Sequence, residues 1–365
     1  MNVYPASSRP RAVLYIVMTT GACNLRCDYC GGSFDPSVVP PLPTYDQRLL
    51  LELVEGDPDP IVAFYGGEPL LNRKFVERVV RALRGRAKLV IQTNGLLVRS
   101  VDPEVLLSFD TILLSVDGVE EVTDAHRGRG VYARVMDAAR YLRRLGYRGD
   151  LVARMTATPD TDIYRDVEHL LSTGLFDHVH WQLDVIWSER WDFVGWADRS
   201  YLPGLDALAE EWVRGIESGR VLGIAPFQGI VMRHVVGGPD PPCGAGANSV
   251  AVSTDGRILA CPIAVQEKWA ELGRLGSGFS LRDYRIGHAC SRCEYYRECG
   301  GRCLYSFMER LWGEEGQEEV CRVTRETIRI VLSRFDRIER AVESGALGWE
   351  DIFYPKFNNT VEIIP

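Results

Sequence analysis

The feature that most restricts the fold of this 365-residue sequence is a series of six apolar segments, at 12–18, 61–65, 88–92, 111–116, 150–156 and 178–183, with stretches of helical character between them. The helical stretches fall at 44–54 with Thr44 as cap, at 72–84, from Asp102-Pro103 onward, at 131–145 and at 162–173. Alternation at this spacing predicts a parallel sheet with helices outside it. Several strands end in residues suited to a functional loop: Gly66-Gly67 after the second, Thr93-Asn94-Gly95 after the third, Asp117-Gly118 after the fourth. In parallel α/β folds the loops at the strands' C-terminal ends carry the chemistry. The pattern alone does not separate a doubly wound sheet from a partial barrel.

The first strand runs into Cys23-Asn24-Leu25-Arg26-Cys27-Asp28-Tyr29-Cys30, three thiols within eight residues. A C-x3-C-x2-C loop can place three thiolates on one compact iron–sulfur cluster and leave its fourth iron without a protein ligand. A zinc knuckle would want a fourth ligand, and none is near in sequence. No further cysteine occurs until Cys243, after which seven follow by Cys321. Scattered structural cysteines would not leave that gap. Residues 1–11 lack the apolar core of a signal peptide, which points to the cytoplasm, where cysteines serve as metal ligands more often than as disulfides.

The length suggests one large α/β domain and a smaller module. The Gly-Gly-Pro-Asp-Pro-Pro stretch at 237–242 marks the boundary and gives spans of 1–235, 236–325 and 326–365. Within the second span, 249–252 and 257–260 flank an Asp255-Gly256 turn as a hairpin, and a helix is expected at 320–342, with an irregular tail after it. A formal charge of −8 argues against a nucleic-acid partner, and no apolar run approaches the roughly 18 residues of a membrane span. Trp187, Trp191 and Trp196, following Trp181, make 184–200 either aromatic packing between modules or a lid over a substrate.

The cysteine triplet, with Tyr29 before its last member, resembles the signature of radical S-adenosylmethionine (SAM) enzymes. Gly66-Gly67-Glu68-Pro69 resembles that family's GGE motif. Thr93-Asn94 and Ser115 to Asp117 match its strand-end positions for the SAM ribose and carboxylate, and His126-Arg127-Gly128 resembles a further element. The resemblance implies a partial (β/α)6 TIM-like barrel with a [4Fe–4S] cluster on Cys23, Cys27 and Cys30. It also implies SAM contacts from Gly66, Gly67, Glu68, Thr93, Asn94, Ser115, Asp117 and Arg127. Cys243-x12-Gly256-x4-Cys261, then Cys290-x2-Cys293-x5-Cys299-x3-Cys303 and Cys321, is similar to the seven-cysteine pattern of SPASM domains, the C-terminal modules of radical SAM maturases. That pattern implies two auxiliary [4Fe–4S] clusters, three clusters in all. Cys290, Cys293, Cys299 and Cys321 would hold one completely. Cys243, Cys261 and Cys303 would hold the other, with one iron left for an outside ligand.

The implied function is reductive cleavage of SAM to a 5′-deoxyadenosyl radical that abstracts hydrogen from a peptide or protein and leads to a cross-link or an oxidation. The implied partners are that substrate and an electron donor such as flavodoxin or ferredoxin. Two other readings stay open: a SPASM enzyme acting on a small cofactor or sugar precursor, and an iron–sulfur electron-transfer or scaffold protein without SAM turnover. In the sulfatase-maturing branch an Asp base follows the cysteine corresponding to Cys261. Pro262 stands there in this sequence, which argues against formylglycine formation. The residues before the first strand are too few for an N-terminal peptide-recognition domain. Leader recognition would fall to the barrel, to 184–235, to the tail after 325, or to a separate protein.

Overall fold

Six strands lie side by side in chain order, all parallel: β1 (Leu14–Thr20), β2 (Ile61–Gly66), β3 (Lys88–Thr93), β4 (Thr111–Ser115), β5 (Asp150–Ala157) and β6 (His178–Leu183). The structure is a computed structural model and describes residues 13–284, 286, 288–345, 347–354 and 365. The start of the first expected strand and the expected tail at 355–364 lie outside the described residues. A doubly wound sheet reverses its strand order at a switch point. Here the order never reverses, and the arrangement is the partial barrel.

Alternate residues of β1 divide between two apolar groups. Leu14, Ile16 and Met18 pack with Ala63, Val90, Leu113 and Val152 on the inner face. Tyr15 and Val17 pack outward with Leu50, Val54, Val76 and Val79 of the helices Gln47–Glu55 and Arg73–Leu83. Burial on both faces explains why β1 reads as a continuous apolar run rather than an alternating one. The helix expected from Thr44 is instead capped by Asp46, whose side chain accepts from the Arg48 backbone N–H. The Thr44 hydroxyl is spent on the Thr254 carbonyl at 3.3 Å.

Among the described residues, two helices of eight residues or more escaped the sequence reading, Glu120–Arg127 and Ala225–Val236. In the second, Pro226 sits in the first turn, where proline starts a helix rather than breaking it. The single helix expected at 320–342 is two, Gly313–Leu332 and Phe335–Glu343, and the first begins with Glu314 and Glu315 against its N-terminal dipole. No helix among the described residues is long and apolar enough to cross a membrane.

The expected hairpin forms as β7 (Ser249–Val252) and β8 (Arg257–Leu259). It docks through β7 parallel to β1 and continues through β9 (Glu271–Arg274) and β10 (Gly278–Phe279) into one sheet of ten strands. Arg233, almost fully buried, fastens this region to the helix Ala225–Val236. Its guanidinium donates to the carbonyls of Glu298 and Pro239, both at 2.6 Å, and to Asp240 at 2.8 Å. Trp191 and Trp196 belong to an aromatic packing group with Phe193 and Trp312, and the Trp312 indole donates to the Ser188 carbonyl at 2.8 Å. Trp187 stands apart from that group, 44% exposed, on the rim of the central cavity.

Candidate active site

The C-terminal ends of the parallel strands open into a cavity of about 670 Å3. Cys23, Cys27 and Cys30 line one side of it, and Cys243 and Cys261 line the other. Both cysteine groups reach one cavity because β7 pairs with β1, which sets the loop leaving β1 beside the hairpin ends.

The N-terminal thiols suit a cluster. Cys27 donates to Cys30, which draws Cys30 down to about 6 and, together with burial, pushes Cys27 up. The Arg127 charge favours the thiolate at both. Burial raises Cys23. Among the described residues no three His, Cys, Asp or Glu side chains are gathered closely enough for a single metal ion. Tetrahedral zinc with 2.3 Å bonds would need sulfurs about 3.8 Å apart. Three thiols on one short loop suit an iron–sulfur cluster. None of the ten cysteines forms a disulfide.

In the C-terminal region, Cys290, Cys293, Cys299 and Cys321 lie within electrostatic reach of one another. Burial raises Cys290 first, and the charges of Cys321 and Cys293 add to it. Cys299 is pushed up to about 12, by burial first and then by Cys321 and Cys290. Cys303 lies elsewhere, buried, where it caps the helix Leu304–Glu309 by accepting from the Ser306 N–H at 3.5 Å. Tyr305, next to it, lines the central cavity and senses Cys261.

Glu68 is buried, and its carboxylate is committed to the protein. Oε1 accepts from Leu70 N at 3.0 Å and Thr93 Oγ1 at 2.7 Å, and Oε2 accepts from Asn94 N at 2.8 Å. It therefore joins the ends of β2 and β3. Asn94 extends the tie to the cysteine loop, donating from Nδ2 to Asn24 Oδ1 at 2.7 Å. Glu68→Gln would point an NH2 group at a backbone or hydroxyl donor. The expected cost is about 1–3 kcal/mol of stability, read as a lowered Tm. An unchanged Tm would mean that these three hydrogen bonds do not hold the strand ends together.

Asp117, fully buried, has four donors on its carboxylate. Oδ1 accepts from Arg127 Nη2 and Thr156 N, both at 2.8 Å. Oδ2 accepts from Arg127 Nε at 2.7 Å and Tyr29 OH at 2.8 Å. These fill the roughly four lone-pair positions of a carboxylate. Asp117 thus sits behind the wall, while Ser115, Thr93, Asn94, Gly66, Gly67, Glu68 and Arg127 line the cavity itself.

The sequence reading missed Arg154, Gln182 and Asp184, which line the cavity from the ends of β5 and β6. Their signal was available: each stands within two residues of the C-terminal end of an expected strand. Burial raises the Asp184 carboxyl, against the hydroxyl of Ser188, which donates to it.

Residues 17–173 match the radical SAM superfamily. The chain is 22% identical over 331 residues to a cysteine-type anaerobic sulfatase-maturating enzyme of Clostridium perfringens, covering 80% of this chain and 89% of that one. It is 22% identical over 311 residues to mycofactocin maturase MftC of Mycolicibacterium smegmatis, covering 78% and 76%. Among solved structures, native anSMEcpe with bound AdoMet superposes with a TM-score of 0.70 at 19% identity, covering 91% of this chain and all of that one. Streptococcus suis SuiB bound to S-adenosylmethionine gives 0.57 at 15% identity, covering 82% and 74%. The matched segment, which carries the cysteine loop and most of the parallel strands, is a radical SAM domain, of a family that works with a [4Fe–4S] cluster and SAM.

Proposed function

We propose that the chain is a radical SAM maturase that modifies a peptide, with Cys23, Cys27 and Cys30 holding the SAM-binding cluster. The observation that carries this reading is the single cavity walled on one side by these cysteines and on the other by Cys243 and Cys261. Two of the similar proteins are maturases, and one SuiB structure is bound to its precursor peptide SuiA. When bound, SAM at a reduced [4Fe–4S] centre supplies a 5′-deoxyadenosyl radical that takes a hydrogen atom from the substrate.

The chain's own residues position and enclose. The backbone of Gly66 and Gly67, with Asn94 and Ser115, would line the SAM half of the cavity. Arg127 and Arg154 are the guanidinium groups on its wall, and the Nε and Nη2 of Arg127 are already engaged by Asp117. The substrate half lies between Asp184, Trp187 and the 261–267 segment. Cys290, Cys293, Cys299 and Cys321 would hold one auxiliary cluster. Cys243, Cys261 and Cys303 would hold another, open toward the substrate. The functional units are 1–235, 236–325 and 326–365, although the sheet itself runs across the first boundary. A low-potential flavodoxin or ferredoxin would supply the electron. The ten unbridged cysteines suit a reducing cytoplasm. The peptide-bound state of the similar SuiB favours a peptide over a small molecule.

Anaerobically reconstituted protein is expected to hold about 12 irons per chain, for three four-iron clusters. It is expected to release 5′-deoxyadenosine when given SAM and dithionite. Full iron with no 5′-deoxyadenosine would overturn the enzymatic reading in favour of a cluster scaffold.

A further inference from the structure

Tyr29, Asp117 and Arg127 form one linked unit beneath the cysteine loop. Tyr29 is the half-buried residue before Cys30, and its hydroxyl donates to Asp117 Oδ2 at 2.8 Å. Arg127 grips the same carboxylate with two parallel hydrogen bonds, and its guanidinium carbon lies 5.5 Å from the centre of the Tyr29 ring. Bidentate pairs of this kind fix orientation as well as charge. The neighbouring backbone adds a strut, since the Asp28 N–H donates to the His126 carbonyl at 3.3 Å. One short loop is therefore tied at two successive residues to the end of β4 and the helix that follows it.

The acceptor positions of Asp117 are all occupied by protein donors, so nothing remains on it for a ligand. Arg127 is buried with its charge paired to Asp117, and a guanidinium stays protonated in proteins. That charge faces the cysteine loop: the guanidinium carbon lies 5.5 Å from the ring of Tyr29, the residue before Cys30, and Arg127 lines the same cavity as Cys27 and Cys30, whereas Asp117 sits behind its wall.

We infer that Tyr29, Asp117 and Arg127 are positioning residues for the N-terminal cluster: Tyr29 locks the cysteine loop to the end of β4, and Arg127, oriented by Asp117, sets a positive charge beside the Cys27 and Cys30 sulfurs. This rests on the reading that Cys23, Cys27 and Cys30 hold that cluster. Groups around the ligating sulfurs, and the net charge there, set a cluster's reduction potential. The tether and the charge are separable, because removing the Tyr29 hydroxyl leaves the Asp117–Arg127 pair in place.

The test is an anaerobic potentiometric titration of the reconstituted holoenzyme, followed by electron paramagnetic resonance with and without SAM. The SAM-responsive signal identifies the N-terminal cluster, and the auxiliary signals report folding. In Asp117→Asn/Arg127→Gln, which removes both charges together, the ratio of reduced to oxidised N-terminal cluster at a fixed potential is expected to fall about tenfold, a drop of about 59 mV. In Tyr29→Phe the ratio is expected to stay within about threefold of wild type, while the fraction of the signal that shifts on SAM addition falls at least threefold. A double variant with the wild-type midpoint, or Tyr29→Phe with an unaltered SAM-shifted signal, would overturn the inference. Should the double variant lose its auxiliary signals too, Tyr29→Phe alone decides. A wild-type chain that shows no SAM-responsive signal at all would overturn the underlying cluster reading instead.

Discussion

Replacing Cys23, Cys27 and Cys30 together by alanine is expected to abolish 5′-deoxyadenosine formation and to lower bound iron by about four per chain, leaving the C-terminal iron in place. The separation is expected because the two cysteine groups are held by different parts of the fold. The first group hangs on a loop between β1 and the helix Gln47–Glu55. Cys290, Cys293, Cys299 and Cys321 belong to a region anchored by Arg233 and by the helix Gly313–Leu332, and among the described residues the hydrogen bonds of Arg233 go to Glu298, Arg297, Pro239 and Asp240 rather than to the N-terminal loop. Alanine removes ligands without burying a polar group, so the fold should survive. Iron analysis and chromatography of SAM products check the outcome. Surviving SAM cleavage would remove the central assignment, and loss of all iron would mean that the C-terminal centres depend on the N-terminal one.

Much of the barrel was legible because strand periodicity and strand-end punctuation are local. Each of the six strands lies within a few residues of its apolar segment, and the cysteine loop stands out by spacing alone. What stayed hidden depends on partners distant in sequence. The parallel docking of β7 on β1 joins residues more than two hundred positions apart, and nothing in either segment names the other. Thr44 looked like a helix cap until Thr254 claimed its hydroxyl. Asp117 looked like a ligand-facing residue at a strand end, yet Tyr29, Arg127 and Thr156 converge on it from three separate segments. The helix Glu120–Arg127 carries mostly charged and polar side chains, so its apolar period is too thin to detect.

Gly67→Ala is expected to cost at least tenfold in SAM affinity, about 1.4 kcal/mol, although it adds a single methyl group. A Cβ at Gly67 would lie 2.2 Å from the Ala22 carbonyl oxygen, 2.4 Å from its carbonyl carbon and 2.8 Å from Cys23 N. All three are backbone atoms, so no side chain can swing aside, and either the end of β2 or the cysteine loop must move. The hydrogen bonds that zip these segments together are in the way of such a shift: Gly67 N donates to the Thr20 carbonyl at 3.1 Å, and Glu68 N donates to the Ala22 carbonyl at 2.8 Å. Displacement would be felt at Cys23 directly and, through Glu68, at Thr93 and Asn94. Gly85→Ala supplies the contrast. Gly85 has φ +76° but open space around its Cβ position, so alanine there costs about 1 kcal/mol of stability and leaves SAM binding alone. Equilibrium binding of SAM to the two reconstituted variants, with thermal unfolding alongside, separates a local collision from general destabilisation. If Gly67→Ala binds SAM like wild type, the second glycine of the Gly66-Gly67-Glu68 turn does not set the distance between the cysteine loop and the end of β2.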